Sequence, residues 1–152
     1  MKNIDITNLL EHKLLPYVDK PARYLGNEQN VIHKPLSNVN LRFAIAFPEV
    51  YEIAMSSQAI TILYHLLNRL DGVWAERVFA PWIDAEEKLR QHKIPLFSLE
   101  SFSPIGEFDI IGFTLQYELT YTNILNMLDL AGIPLLAKDR IEKDPIILGG
   151  GP

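Results

Sequence analysis

The sequence is organised around an apolar run, Leu41 to Phe47, that is ended by a proline. Arg42 is the one charged residue in the run. A short apolar run bounded by proline is typical of a buried strand, although periodicity alone does not separate it from a helix segment. Pro48 ends the strand because it has no N–H to donate to a neighbour. Residues 48–58 follow as a loop that leads into a helix, which together make the first half of a βαβ unit.

The helix after this strand is predicted to bury one face. Its apolar residues recur at the i, i+3, i+4, i+7 spacing of a core-facing stripe: Ala59, Ile60, Leu63, Leu66, Leu67 and Leu70. Ser56 or Ser57 is the predicted N-cap, because a serine hydroxyl accepts a hydrogen bond from a free N–H of the first turn.

Further strands and helices alternate along the rest of the chain. A strand over residues 73–81 is predicted to be less central than the first, because it contains Glu76 and Arg77. The remaining predicted elements are a thin helix at 84–92, a short edge strand at 94–101, a strand at 109–115, a helix ending at Ala131 and a last strand at 145–152. This order predicts an α/β fold with a mostly parallel, five-stranded sheet and helices on its flanks.

Two helix ends carry recognisable signals. Asp84 and Glu87 are spaced as in a capping box, which predicts the start of the thin helix. Gly132 follows the last helix at the position where a left-handed residue ends it, so that Ile133 can contact Leu128 in a Schellman motif.

Composition excludes several classes of site and partner. The chain has no cysteine, which excludes disulfides, thiolate zinc sites and iron–sulfur clusters bound by its own residues. A net charge of −5 argues against nucleic acid as a partner, since nucleic-acid-binding domains usually carry a basic surface. The sequence has no apolar run of about 18 residues, which a membrane span needs. The first residues lack the apolar region of a signal peptide, so a cytoplasmic location is expected.

The chain divides into two parts. Residues 1–40 are predicted to be an N-terminal arm with a short helix, either packed on the domain or partly ordered, and residues 41–152 are predicted to be the α/β domain. The glycine-rich end of the last strand is expected to lead into a further helix or loop, so the domain is expected to be truncated at its C-terminus, as a fragment of a longer protein.

A cofactor site is predicted where the strands end, because ligands of open α/β sheets bind outside the carboxyl ends of the strands. The candidate residues lie in three loops there: Pro48, Glu49, Tyr51, Met55, Ser56, Ser57, Gln116, Tyr117, Glu118, Gly149, Gly150 and Gly151. Each group has a simpler alternative: the acids can be solvated loop charges, the apolar residues, with Trp82, can fold back on the core, and the glycines can form a turn.

No catalytic or metal-binding residue is predicted. The four histidines are scattered, and no two have the i, i+4 spacing of a helical metal site. The three glycines lack the spacing and the following lysine of a phosphate-binding loop.

Several segments resemble the N-terminal region of uncharacterised radical-SAM proteins, in which a cobalamin-binding-like domain precedes the radical-SAM barrel. The similarity covers essentially the whole chain and is strongest over 108–136. It is carried by KPARYLGNEQN, FAIAFPEVYEIAMSS, ILYHLLN, ERVFAPWIDAEEKLR, PLFSLES, FDIIGFTLQYELTYTNILNMLDLAGIPLL and ILGGGP.

The resemblance implies a flavodoxin-like fold, as in cobalamin-binding domains, and a barrel in the same polypeptide as the partner. It places the three-cysteine motif, the 4Fe-4S cluster and S-adenosylmethionine beyond residue 152. One departure matters: the loop after the first strand reads PEVYEIAMSSQ and has no D-x-H-x-x-G motif, so a histidine ligand to cobalamin is not expected from it.

Two functions follow from these expectations. The first is an accessory domain of a radical-SAM protein that binds cobalamin or shapes substrate access to the barrel. The alternative is a cofactor-free module for protein interaction or substrate gating, for which an exposed apolar patch is expected. A free-standing flavodoxin or receiver is less well supported, because the strand ends offer Pro48, Pro81 and Gln116 rather than an acidic pair or a phosphate loop.

Overall fold

The structure, a computed structural model, describes residues 6–151 and is built on a parallel sheet. The four strands are β1 (Leu41–Phe47), β2 (Val73–Phe79), β3 (Ile110–Thr114) and β4 (Ile146–Gly150), in the spatial order β2-β1-β3-β4. The predicted α/β class and parallel sheet are confirmed, and β1 lies inside the sheet. Pro152, the last residue of the predicted final strand, lies outside the described residues.

The helices connect these strands in the expected alternation. They are α1 (Ile6–Leu9), α2 (Tyr51–Met55), α3 (Gln58–Asn68), α4 (Ile83–His92) and α5 (Tyr121–Leu130). A π-helical turn at Leu10–Leu14 and a 3₁₀ turn at Leu15–Tyr17 continue α1, and α2 lies within the segment predicted as a loop.

The sheet separates two apolar clusters, because successive residues of a strand point to opposite faces. On one face, Ala44 and Ala46 of β1 and Ile111 and Phe113 of β3 pack in a cluster with residues of α4 and α5. On the other, Ile45 and Phe47 of β1 pack with residues of α3. We call these the α4–α5 face and the α3 face.

The N-terminal residues contribute to the larger cluster. Ile6, Leu10, Leu14 and Val18 are buried together with residues of the α4–α5 face. Their spacing of four suits a helical turn, which presents one side to the domain.

The prediction of a fifth strand at 94–101 is wrong. Phe97 forms only an isolated bridge with Pro104, and Leu99 donates a single backbone hydrogen bond to the carbonyl of Arg77 at 2.9 Å. The segment therefore covers the outer edge of β2 without forming a regular ladder. It is buried all the same, because Ile94, Leu96, Phe97 and Leu99 pack against the two clusters.

Side chains complete the outer edge of β2. Asn68 of α3 exchanges two hydrogen bonds with the backbone of Ala75, at 2.9 and 3.0 Å. Glu100 accepts hydrogen bonds from the Arg77 backbone N–H at 2.7 Å and from its Nε at 2.6 Å. These bonds satisfy backbone groups that would otherwise be exposed at a sheet edge.

The Glu76 side chain lies on the opposite face of β2 from Ala75 and Arg77, and it is fully buried. Its carboxylate accepts hydrogen bonds from Arg42 Nη2 at 2.6 Å, from Ser98 Oγ at 2.7 Å and from Ser101 Oγ at 2.5 Å. The charged residues of β2 correctly indicated a strand away from the centre, but they are core residues and not solvated ones.

The predicted buried face of α3 is partly wrong. Ile60 and Tyr64 are buried as core residues and Asn68 is buried at the β2 edge, whereas Leu63, Leu66 and Leu70 are exposed. Ser57 occupies the N-cap position of α3, but its side chain makes no capping hydrogen bond.

The other helix signals have mixed outcomes. Gly132 has φ +71° and donates to the carbonyl of Asp129, and Ile133 donates to that of Leu128, which confirms the Schellman motif. The capping box at Asp84 is wrong, because Trp82 is the N-cap residue and Asp84 lies in the first turn.

We expect Glu76→Ala to destabilise the domain by about 3–5 kcal/mol, because it leaves the Arg42 guanidinium, whose side chain is only 15% exposed, without its carboxylate. The measurement is the urea midpoint at neutral pH. Glu87→Ala is the control, since that side chain is 70% exposed, and its change should stay within about 0.5 kcal/mol. Equal midpoints for the two variants would contradict the structural role of Glu76.

Candidate functional site

The loops after β1 and β3 meet at the carboxyl ends of these strands. The hydroxyl of Tyr117 donates to the carboxylate of Glu49, and Asn123 of α5 donates to the carbonyl of Pro48 at 2.8 Å. The hydrogen bond to Glu49 raises the pKa of Tyr117, because the carboxylate stabilises the protonated phenol. We call these two contacts the β1–β3 bridge. It brings three of the predicted residues together and adds Asn123, which no sequence pattern had indicated.

Other predicted residues after β1 serve the local backbone or the core. The Ser56 hydroxyl donates to the carbonyl of Ile53 at 2.7 Å, which suits the end of α2. Tyr51 packs edge-on against Phe79 with ring centroids 6.0 Å apart, and burial raises its pKa. The Met55 sulfur lies 3.6 Å from Nη1 of Arg77. Tyr51 and Met55 therefore pack against the apolar cluster on the α3 face.

The remaining predicted residues lie at the surface. Gln116 and Glu118 are exposed in the turn that precedes α5. Gly151 contacts its neighbouring strand: a Cβ there would lie 2.0 Å from the carbonyl oxygen of Leu115. Gly149 packs on the Leu115 side chain, whereas a Cβ on Gly150 would meet no atom within 4 Å. Close approach to Leu115, the residue after β3, thus accounts for two of the three glycines.

Two cavities lie beside the arm. One lies under the arm, has a volume of about 20 Å³ and is lined by residues that include Tyr51, Phe79 and Trp82. Such a volume holds about one water molecule. A second, of about 120 Å³, lies between α3 and the arm and is lined by Met55, Tyr64 and Arg77 among others.

The arm is fastened to α2 by charged contacts. Arg23 donates two hydrogen bonds to Glu52, at 2.9 and 3.0 Å, and Lys20 adds one at 3.2 Å. Arg23 also lies over the ring of Trp82, 5.2 Å from its centroid. The bond from Arg23 is the main cause that lowers the pKa of Glu52 to about 2. The sequence placed Arg23 in the arm but gave no signal for its partner.

Half of the α3 face is open. The register pairs Phe43 with Ile110, Ile110 with Ile146 and Gly112 with Leu148, so these side chains share one face. Ile146 and Leu148 are 61% and 47% exposed, although the α4–α5 face of the same strands is packed. We call Ile110, Gly112, Ile146 and Leu148 the uncovered face.

Among residues 6–151, no group of three or more histidine, aspartate or glutamate side chains is arranged to hold a metal ion. No helix in this part of the chain has the length and apolar character to cross a membrane.

The fold defines an open, parallel α/β domain, and comparison with known proteins gives its family. The family model described as "Radical SAM proteins, N-terminal" matches residues 59–152, more than half of the chain. The chain therefore belongs to this family of N-terminal regions of radical SAM proteins. No curated protein and no solved structure matches it.

We expect Arg23→Ala to raise the pKa of Glu52 from about 2 toward its ordinary value of 4.5. A lowered pKa in the folded state stabilises the domain above pH 4.5, and this contribution is lost as the pH falls toward 2. The variant should lack the part of the acid destabilisation that comes from Glu52. The measurement is an NMR titration of the Glu52 carboxyl, with Lys20→Ala as a control that should give a smaller rise. An unchanged pKa in Arg23→Ala would refute the contact.

Proposed function

We propose that this chain is a cofactor-free accessory domain that binds the radical-SAM barrel of the same polypeptide. The observation that carries the proposal is the uncovered face, which leaves apolar side chains of a sheet exposed where parallel sheets are normally covered on both sides. Family membership supplies the partner, because a domain N-terminal to a radical-SAM region has that region in its own chain. A cytoplasmic location belongs to the same proposal.

We also propose a flavodoxin-like topology. The order β2-β1-β3-β4 agrees with the first four positions of the flavodoxin order 2-1-3-4-5. In that topology the ligand lies at the switch point between β1 and β3, where the connections leave toward opposite faces. Here α3, after β1, lies on one face and α5, after β3, lies on the other.

The residues at this switch point support a cofactor-free domain. The β1–β3 bridge spans the crevice with direct protein contacts. The loop after β1 supplies no histidine for cobalt. Binding of cobalamin here would require Tyr117 and Glu49 to separate. The cluster and S-adenosylmethionine belong to the barrel, since this chain offers no thiolate to iron.

We expect the purified chain to retain no hydroxocobalamin in equilibrium dialysis followed by its visible spectrum. Tyr117→Phe, which removes the hydroxyl of the bridge, tests whether the bridge alone blocks the crevice, and it should also bind none. Saturable binding by the wild-type chain would overturn the cofactor-free assignment. Binding by Tyr117→Phe alone would show a corrinoid site that the bridge closes.

Single introduced cysteines test the interaction, because the chain has no cysteine of its own that would react. We expect Leu148→Cys to react with iodoacetamide about tenfold more slowly in the complete polypeptide than in the 152-residue chain. Peptide-level mass spectrometry separates this thiol from those of the barrel. Ile83→Cys is the control: Ile83 is 75% exposed on α4, and its rate should not change.

Equal rates for Leu148→Cys in the two proteins would show that the uncovered face stays open and would overturn the proposed interaction. Slower reaction of both variants would indicate general shielding and not specific binding at this face.

A further inference from the structure

We infer that the N-terminal arm is held on the domain by a proton-dependent latch, which is the cluster of Glu28, Arg77 and Glu100. Docking of the arm takes up a proton in this cluster, so the arm is held most tightly at mildly acidic pH and loosens as the pH rises toward neutrality. The latch is separate from the uncovered face and does not depend on the partner of that face.

The cluster joins three parts of the chain. Arg77 of β2 donates to the Glu100 carboxylate from its backbone N–H at 2.7 Å and from Nε at 2.6 Å. Glu28 of the arm places its Oε2 atom 3.5 Å from Nη2 of the same guanidinium. The side chains of Glu28, Arg77 and Glu100 are 5%, 7% and 0% exposed, so all three charges are held away from water.

The cluster contains one carboxylate more than it has cations. Glu28 and Glu100 face a single guanidinium, so the buried charges sum to −1 when both are ionised. Glu76 of β2 adds to the negative potential at Glu100. A buried net charge costs free energy because the charged form loses its hydration. Binding of one proton by a carboxylate removes this charge.

The arginine and the tyrosines around the cluster keep their protons near neutral pH. The ring centroid of Tyr64 in α3 lies 4.5 Å from Cζ of Arg77, and burial raises the pKa of Tyr64 to about 12. Tyr51 of α2 faces Glu28, and burial raises the pKa of Tyr51 as well. Burial also raises the pKa of Glu100 to about 7 and outweighs the opposing effect of Arg77. The proton is therefore bound by a carboxylate.

The arm supplies both the second carboxylate and part of the cover over the first. A Cβ on Gly26 would lie 2.0 Å from the carbonyl oxygen of Leu99, the residue before Glu100. Farther along the arm, the Ile32 N–H donates to the Tyr64 hydroxyl at 2.8 Å. Docking therefore removes water from Glu100 and brings a second negative charge to its guanidinium, and both changes strengthen proton binding.

The direction of the pH dependence follows from the raised pKa. A carboxyl whose pKa is raised from 4.5 to about 7 contributes its full stabilisation below pH 4.5, and this contribution is lost as the pH rises to about 7. Between these limits one proton changes the docking equilibrium by up to about tenfold per pH unit. The contact of Arg23 with Glu52 does not contribute to the change, because the pKa of Glu52 is lowered to about 2.

Amide hydrogen exchange in the complete polypeptide measures the docking of the arm. The Ile32 amide is the probe, because its hydrogen bond to Tyr64 requires a docked arm. Its protection factor, the ratio of the intrinsic to the measured exchange rate, removes the intrinsic effect of pH on exchange. We expect this factor to fall by about tenfold between about pH 5.5 and 7.5.

Two substitutions remove the excess charge with little change of shape. Glu28→Gln and Glu100→Gln each leave one carboxylate beside one guanidinium, so the protection factor of Ile32 should change by less than about twofold over the same pH range. Using both variants keeps the test decisive if the more deeply buried Glu100→Gln does not fold. Glu52→Gln is the matched control at another carboxylate that binds the arm, and it should keep the tenfold change.

Histidine titrates in the same pH range and is controlled separately. His65 lines the crevice between α3 and the arm together with Arg77, and His33 of the arm lies beside Trp74. The double variant His33→Gln, His65→Gln should keep the tenfold change.

Each remaining outcome decides for or against the latch. A constant protection factor in the unsubstituted protein, or one that rises with pH, would overturn it. So would a change that persists in both Glu28→Gln and Glu100→Gln, or one that is lost in the histidine double variant. Loss of the change in only one of the two glutamine variants would support the latch and identify the carboxylate that binds the proton.

Discussion

The outer edge of β2 is the constraint on which this fold depends. An edge strand exposes backbone donors and acceptors, and here they are satisfied without a fifth strand. Asn68 and Glu100 bond the backbone of Ala75 and Arg77, and Leu99 adds one main-chain bond. Because side chains supply the hydrogen bonds that a neighbouring strand would make, the charged residues of β2 can be buried. The same bonds hold α3 and the 94–101 segment in place on the sheet.

This arrangement explains which parts of the fold could be predicted. The runs Leu41–Phe47 and Ile110–Thr114 are apolar for most of their length, since both faces of a central parallel strand are buried, and they were recognised from composition. The Schellman end at Gly132 depends only on neighbouring residues and was also predictable. The structure of the 94–101 segment was not predictable. Its residues are apolar because they are buried, and a buried segment that does not pair with a strand has the same apolar pattern as one that does.

The error on α3 has a different physical origin. A helix with apolar residues around half of its circumference shows where a stripe lies but not which neighbour covers it. Asn68 is buried because its side chain bonds Ala75 of β2, and the Tyr64 ring lies 4.5 Å from the Arg77 guanidinium, contacts that the apolar pattern of α3 does not indicate. Three of the predicted core leucines, Leu63, Leu66 and Leu70, are exposed, whereas Leu67 packs against the cluster on the α3 face. The candidate site failed to stand out for a similar reason: the sequence shows that Glu49 and Tyr117 follow neighbouring strands, but not that they bond each other.

The carboxyl ends of the strands and the α3 face differ in what they leave available for binding. At the switch point, polar groups that follow β1 and β3 form hydrogen bonds with each other, so protein contacts occupy the usual ligand position. On the uncovered face, Ile146 and Leu148 are 61% and 47% exposed. Exposed apolar area costs free energy in proportion to its size, at about 25 cal/mol per Å², whereas a satisfied polar bridge at the surface costs little. The surface that would gain most from being covered is therefore the uncovered face. A flat apolar surface of this kind favours a protein partner over a small molecule.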